Sequence, residues 1–392
     1  MGGPLEGIRV VDTSEGAQGP WAGSLLSDLG AEVIKVEKPS GEMMRVGGPK
    51  KRGHALPNMG MNHGKRNICL DLKRPEGQRV IHELIKWADV FLENWRPGVG
   101  DRLGCGYAVA SQLNPRIVYC SASGFGQTGK YAHKGTVDNI SQAMGGHMSV
   151  TGAKGEVGEK PRFIVIDFTS PLTVAQGIIL ALYARETTGK GQWVQCSQLE
   201  TMIAVQSVRA AEYFMTGVKP VPLGTETPFI MPSQAFKTAD SYVLVECPTE
   251  ATWQALCQAI GQPKLATEPR FESNAKRVDH RAELQSILDT AFIGHTTEVW
   301  VKILEKHGVP CSEVTLDIEQ LYEDPQVVAN GLVVRRPHPV LEWVDTPDLP
   351  WKLSRSPAQY KYLARFLGED NDNILEELGL KGELTLPKPG SN

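Results

Sequence analysis

Residues 8–37 read IRVVDTSEGAQGPWAGSLLSDLGAEVIKVE. "IRVVD" is a short β-branched strand, "TSEGAQGP" a loop of turn formers, "WAGSLLSDLG" has helical spacing and ends on Gly30, and "AEVIKVE" is a second strand. This is a complete βαβ unit, the opening of a doubly wound α/β sheet. Ligands of such sheets bind outside the carboxyl ends of the strands, here the Thr13–Pro20 loop and the strand end at Glu37 and Lys38.

The alternation continues. "RNICLDL", "DVFLEN" and "RIVYCSAS" read as strands, "RPEGQRVIHELIKWA" as a helix introduced by Pro75, and "DNISQAMGGHMSV" as a helix that runs out at a glycine pair. In "RFIVIDFTSPLT", residues 162–173, Asp167 follows "FIVI", which reads as a buried strand, and precedes Thr169, Ser170 and Pro171, which read as a helix cap with proline in the first turn. The next segment, "PLTVAQGIILALYAR", is apolar on nearly every face and predicts a buried helix. Composition shifts near residue 217, where "GVKPVPLGTETPFIMP" reads as a linker. Beyond it, a hairpin in "QAFKTADSYVLVEC" and amphipathic helices at "TWQALCQAIG", "RAELQSILDTAFIG" and "TEVWVKILEKHG" predict a smaller α+β domain over 217–330, after a large domain in 1–216. The remainder, 331–392, holds a Pro-rich stretch and a short helix, "NDNILEELGL".

A chain of 392 residues with 41% apolar and 22% charged residues, net charge -4 and no like-charge blocks fits a two-domain globular protein and carries no nucleic-acid footprint. "MGGPLEGIRVVD" lacks a signal-peptide pattern, and no uninterrupted apolar run nears the roughly 18 residues that span a bilayer, so a cytoplasmic location is expected. The seven cysteines are scattered and predict reduced thiols; the nine histidines form no ligand pair, and no metal site is expected.

"GFGQTG", residues 124–129, matches the dinucleotide-binding glycine pattern, but no helix opens at its third glycine and no acidic strand end follows about twenty residues on. A glycine turn allowing close backbone approach fits better than a nicotinamide-dependent dehydrogenase. No Gly-x-Ser-x-Gly elbow is present, which leaves carboxylates as candidate nucleophiles. Position alone leaves Asp167 open between helix cap and catalyst, and Asp138 in "GTVDNIS" reads first as the cap of its own helix. Lys38, Lys65, Arg66, Lys73, Arg96 and Arg102 recur at predicted strand ends, as solvated surface charge or as partners of a ligand with several phosphates.

The chain resembles the class III coenzyme A transferases, of formyl-CoA and carnitine type, a fold shared with 2-methylacyl-CoA racemases. The likeness runs through "GPWAGSLLSDLGAEVIKVEKPSGE", "NHGKRNICLDLKRPEG", "ADVFLENWRPGVGDRLG", "LNPRIVYCSASGFGQTG", "VDNISQAMGG", "DFTSPLTVAQGIILALYARETTGKGQ", "HGVPCSEV", "EDPQVVANG" and "ILEELGL", in the family's order. It implies a large Rossmann-like domain plus a smaller α+β domain in an interlocked ring-like homodimer, with 331–392 returning to the large domain.

The implied activity is transfer of CoA from an acyl-CoA to a carboxylic acid, with CoA and acyl-CoA as substrates, no tightly bound cofactor, and Asp167 as a nucleophile that passes through anhydrides and an aspartyl-CoA thioester. Asp138 matches an acidic residue of the family's active site. The implied CoA contacts are Ala17, Gln18, Lys38, Leu70, Asp71, Leu72, Lys73, Asn94, Trp95, Arg96, Arg102, Lys134, Gly135, Thr136 and Val137. Backbone amides at Gly145, Gly146 and near Gly124 are candidate oxyanion donors.

Three departures matter. Lys38 stands where the formyl-CoA enzymes have arginine, so a planar stack on adenine is lost. The triplet before the helix reads "TVD", with Val137 where the racemases place a histidine, which argues against the racemase alternative. "LGTETPFIMP" replaces a run of glycines that closes over the intermediate, which implies an acceptor of different shape from oxalate.

Overall fold

Short β-branched segments build a six-stranded parallel sheet: β1 (Arg9–Asp12), β2 (Glu32–Glu37), β3 (Lys65–Cys69), β4 (Val90–Glu93), β5 (Val118–Ser123) and β6 (Trp193–Ser197). Their spatial order is β3-β2-β1-β4-β5-β6, the 3-2-1-4-5-6 order of a doubly wound sheet, so the chain reverses direction across the sheet between β1 and β4. Both faces are covered, which is why the strands read as continuous apolar runs. Val10 and Val11 are adjacent and fully buried on opposite faces. Val10 packs with Leu25 and Leu26 of helix α1 (Gln18–Asp28), whereas Val11 packs with Val80, Ile81 and Leu84 of α2 (Pro75–Trp87).

The computed structural model describes residues 2–156, 158–384 and 386–387, and divides into two units. The larger takes the chain up to residue 147, residues 160–218 and the chain from residue 328; the smaller takes 148–159 and 219–327. Three further helices of the larger unit matter for function: α3 (Asp138–Met144), α4 (Val165–Thr188) and α5 (Gln198–Val205), followed by α6 (Ser207–Thr216).

α4 corrects two sequence expectations. "FIVI" is not a strand: Phe163 is 60% exposed and the helix already begins at Val165, so Asp167 lies in its first turn. Pro171 consequently falls inside the helix, where it brings no N–H to the Asp167 main-chain carbonyl four residues back. Nor is α4 buried all round. Val174 and Ile178 sit in the core against α1 and the sheet, but Leu180 and Tyr183 are 60% and 75% exposed. The helix ends at Gly189, whose φ of 68° supplies the left-handed C-terminal turn.

In the smaller unit, strands β7 (Ser233–Lys237), β8 (Tyr242–Glu246) and β9 (Cys311–Glu313) form an antiparallel sheet in the order β9-β8-β7. Helices α7 (Glu250–Ala259), α8 (Arg281–Phe292) and α9 (Thr297–Lys306) enclose a core around Trp253, Phe292 and Trp300. Residues 217–232 hold turns but no helix or strand.

From residue 328 the chain again belongs with the larger unit. A hairpin of β10 (Val333–His338) and β11 (Glu342–Pro347) occupies part of the stretch read only as Pro-rich. Its two-stranded form tolerates Pro337 because an edge position needs no N–H there. The last helix, α10 (Asn371–Glu377), lies along β3: Asp370 accepts the Asn67 N–H at 2.8 Å, and Glu377 pairs with Arg66 at 2.7 Å.

Candidate active site

Where β1 and β4 diverge, their carboxyl ends must be held by side chains. The Glu15 N–H donates to Asn94 Oδ1 at 2.9 Å and Asn94 Nδ2 donates back to the Glu15 carbonyl at 2.6 Å, which clasps the loop after β1 to the loop after β4. The Gly16 N–H donates to Glu42 Oε2 at 3.0 Å, and the Ser14 N–H to Asp12 Oδ1 at 2.9 Å.

Beneath this loop lies a buried charge cluster. Asp12 is fully buried between Lys35 and Lys65, each 1% exposed, with Lys65 Nζ 2.8 Å from Asp12 Oδ2. Burial opposes ionisation of Asp12, but the two ammonium groups prevail and hold it at about 2. Burial also pushes Lys65 down to about 8, against the attraction of Asp12. Gly23 makes room for this arrangement, since a Cβ there would lie 2.9 Å from Asp12 Oδ2 and 3.2 Å from Lys65 Nζ. α1 starts at Gln18 rather than at Trp21, so Gln18, Gly19 and Pro20 belong to its first turn.

The loop opens onto a cleft of about 270 Å³ at the β1–β4 divergence. Of the residues expected at the site, Ala17, Gln18, Asn94, Trp95, Arg96, Lys134, Gly135, Thr136, Val137 and Asp167 line it. Lys38, Leu70, Asp71, Leu72, Lys73 and Arg102 do not. Lys38 is paired with Glu15 at 2.8 Å, Leu70 is buried, and Lys73 and Arg102 are exposed. They lie farther along the same carboxyl edge, after β2, β3 and β4. With strands about 4.8 Å apart, six strands make that edge roughly 24 Å long, room for an extended ligand rather than a small acid alone.

The glycine turn has a packing reason. A Cβ on Gly124 would lie 2.2 Å from Thr136 Cγ2, and one on Gly135 would lie 2.7 Å from Arg96 Nη2. These glycines bring the 134–137 segment against the loops after β4 and β5.

Asp138 is not the cap of its own helix; Val137 holds that position. The Asp138 carboxylate instead reaches across to α4, where Oδ1 accepts the Ile166 N–H at 2.8 Å and the Asp167 N–H at 3.3 Å, while Oδ2 accepts from Gln142. It therefore fixes the first turn that carries Asp167.

Gln198, which sequence reasoning missed, completes the group. Its Nε2 donates to Asp167 Oδ1 at 2.9 Å, and its Oε1 accepts from Ser141 Oγ at 2.7 Å, itself 2.9 Å from Thr136 Oγ1. An ionised carboxylate only accepts, so this chain of hydroxyls sets the amide with its nitrogen toward Asp167. Only its place just after β6, at the carboxyl edge, could have marked Gln198 in the sequence. Burial, with Asp138 nearby, raises Asp167 to about 6, and the Gln198 hydrogen bond only partly offsets them.

Of the expected oxyanion glycines, Gly145 is committed elsewhere. The Gly145 N–H donates to the Ser141 carbonyl at 2.8 Å, its own carbonyl accepts from Gln206 at 2.7 Å, and a Cβ on it would meet Met202 at 2.3 Å. Gly145 serves the contact of α3 with α5.

Comparison with known proteins agrees with this geometry. The family model of CoA-transferase family III matches residues 5–371. Succinyl-CoA:glutarate CoA-transferase of Mus musculus is 32% identical over 377 residues, covering 96% of this chain and 86% of that protein. Acetyl-CoA:oxalate CoA-transferase of Acetobacter aceti is 36% identical over 336 residues, covering 85% and 86%. The crystal structure of a CAIB/BAIF family protein from Brucella suis superposes with a TM-score of 0.85 at 32% identity, over 96% of this chain and all of that one. A parallel sheet with a cleft at its divergence point, a match over almost the whole chain and relatives that move CoA between acids converge on one assignment: the chain belongs to CoA-transferase family III and is a CoA-transferase.

Proposed function

We propose that Asp167 is the covalent nucleophile of this CoA-transferase, and that Asp138 orients it. The observation that carries this is a single ionisable carboxylate in the first turn of α4, lining the cleft and held at one oxygen by Gln198. The free oxygen, Oδ2, attacks the acyl-CoA carbonyl; the C–S bond breaks, leaving CoA thiolate and a mixed anhydride. The thiolate then attacks Asp167 Cγ, releasing the donor acid as carboxylate and leaving an aspartyl-CoA thioester. An acceptor carboxylate attacks the same carbon, expelling thiolate, and the thiolate takes the acyl group from the second anhydride and frees Asp167. Every nucleophile and leaving group is an anion, so the cycle needs no proton donor. Val137 lines the cleft where a racemase would need a base, consistent with transfer rather than isomerisation.

Incubation with acyl-CoA, trapping with hydroxylamine or borohydride and peptide mass spectrometry test the reading. Modification of Asp167 is expected, and an unmodified Asp167 with a labelled residue elsewhere would overturn it. Because Asp167 must be ionised to attack, kcat/KM should rise with pH through about 6 and level off above it. A flat profile from pH 5 to 7 would contradict that role.

The CoA contacts run from the cleft along the carboxyl edge. Arg96 and Lys134 are the cations that line the cleft and serve the pyrophosphate. Arg96→Ala is expected to raise KM for acyl-CoA by about 10- to 100-fold, from a loss of roughly 1.5–3 kcal/mol per charge-assisted hydrogen bond, with KM for the acid unchanged. Equal changes in both constants would count against it.

The family's interlocked homodimer is the assembly we favour. α6 has no buried residue, and its Phe214 and Met215 are exposed, as are Leu180 and Tyr183 on α4. Apolar surface of this kind, where contiguous, marks an interaction site. Sedimentation should give a dimer at micromolar concentration; a monomer would refute it.

A further inference from the structure

We propose that Gln198 is a catalytic residue, the side-chain oxyanion donor for attack on the aspartyl carbonyl. The inference rests on the covalent role of Asp167 proposed above. In the resting site, Gln198 Nε2 lies 2.9 Å from Asp167 Oδ1. Bond formation uses the other oxygen, so in both the anhydride and the thioester Oδ1 remains as the carbonyl oxygen of residue 167. When CoA thiolate attacks Cγ of the first anhydride, a C–S bond forms and the C=O pair moves onto Oδ1. Collapse of that oxyanion breaks the Cγ–Oδ2 bond and releases the donor acid. When the acceptor carboxylate attacks the thioester, a C–O bond forms, charge again gathers on Oδ1, and collapse breaks the C–S bond to release thiolate. In both steps the same N–H points at the oxygen that becomes charged.

The donor is already in place. Ser141 Oγ holds Oε1 of the amide at 2.7 Å, and Thr136 Oγ1 supports Ser141 at 2.9 Å. Gln198 and Ser141 are themselves buried, at 5% and 0% exposure, so the donor works away from bulk water, where such a hydrogen bond is strongest. Turning the amide over would set Oε1 against the Asp167 carboxylate and give up the hydrogen bond that Ser141 Oγ donates to Oε1. Ser141 is therefore a positioning residue for Gln198. Of the backbone glycines expected to serve this task, Gly145 has its N–H engaged with the Ser141 carbonyl and is not free to donate here.

The steps of the cycle differ in a way that makes the role measurable. In the first attack and in the last transfer, charge develops on the carbonyl oxygen of the substrate's acyl group, which Gln198 does not touch in the resting site. Only the two middle steps place it on Oδ1. In Gln198→Leu, rapid-quench single turnover should show the first anhydride forming within a fewfold of the normal rate. Formation of the aspartyl-CoA thioester, and its breakdown on adding acceptor acid, should slow by about 10²- to 10³-fold. The acid limb of kcat/KM should also move to higher pH, since a donor favouring the carboxylate is lost. Ser141→Ala, which frees the amide to turn, should slow the same two steps by about tenfold.

Melting curves of both variants check that the fold persists. Thioester formation and breakdown within threefold of normal in folded Gln198→Leu would overturn the proposal, as would equal slowing of all four steps. If the unaltered protein never carries CoA on Asp167, it is the covalent mechanism that fails, which the same quench experiment reports separately.

Discussion

Asparagine in place of Asp167 is expected to lower CoA transfer by about 10⁴-fold or more while leaving the protein as stable as before, or more so. The amide is close to isosteric and keeps an oxygen for Gln198, but has no anionic oxygen to attack a thioester. The stability effect follows from linkage. The folded protein raises Asp167 to about 6, above the ordinary aspartate value, so between those values the native state holds a proton that the unfolded chain has released. Above pH 6 the ionised carboxylate therefore costs the fold on the order of 3 kcal/mol, a cost that disappears as pH falls or as asparagine replaces it. Chromatographic assay of transfer and melting curves at pH 7.5 would check both parts. Retained turnover would remove Asp167 from the mechanism, and a large fall in melting temperature would show that its charge is needed by the fold.

Much of this was legible in the sequence. The βαβ opening gave the loop after β1, and the recurrence of strand and helix signals gave a parallel sheet, so the carboxyl edge could be named as the ligand edge before the strand order was known. What was misread followed from local propensity. "FIVI" is β-branched and aromatic, as strands are, yet it has no sheet neighbour, and the residues enter a helix whose first turn is capped from Asp138, 28 positions earlier. A cap supplied across space leaves no local spacing to find. Gln198 was hidden for a related reason: it opens α5 behind Ser197, whose side chain supplies the visible cap signal. The hairpin at 333–347 was masked by its prolines, and 148–159 joins the smaller unit although separated from it in sequence by the helix that carries Asp167.

The second large effect concerns stability. Asp12→Asn removes the one carboxylate placed between Lys35 and Lys65, leaving two buried ammonium groups facing a neutral amide. Breaking a buried ion pair by removing one partner costs about 3–5 kcal/mol, and here two cations are left. Backbone carbonyls of Ser14 and Pro20 still receive from the lysines, so the expected loss is of that order rather than beyond it. Adding Lys65→Met to Asp12→Asn takes away one of the opposed charges and should recover part of the loss. Urea denaturation of the three proteins gives the comparison. A double variant less stable than Asp12→Asn would show that packing around Lys65, and not charge, dominates. The loop joined to this cluster lines the cleft, so the single variant should also bind acyl-CoA more weakly at temperatures where it remains folded.

One property of the first turn of α4 extends beyond positioning. In the free enzyme it gathers two carboxylates: Asp138 accepts the turn's N–H groups and Asp167 projects from it. Under the covalent mechanism proposed above, acylation would make Asp167 neutral and leave Asp138 alone at that helix end, matched to the turn it caps. The repulsion between the two carboxylates would then load the resting state and be discharged in each covalent intermediate. On that mechanism the intermediates would be the relaxed forms of the site, and the free enzyme the compressed spring between them.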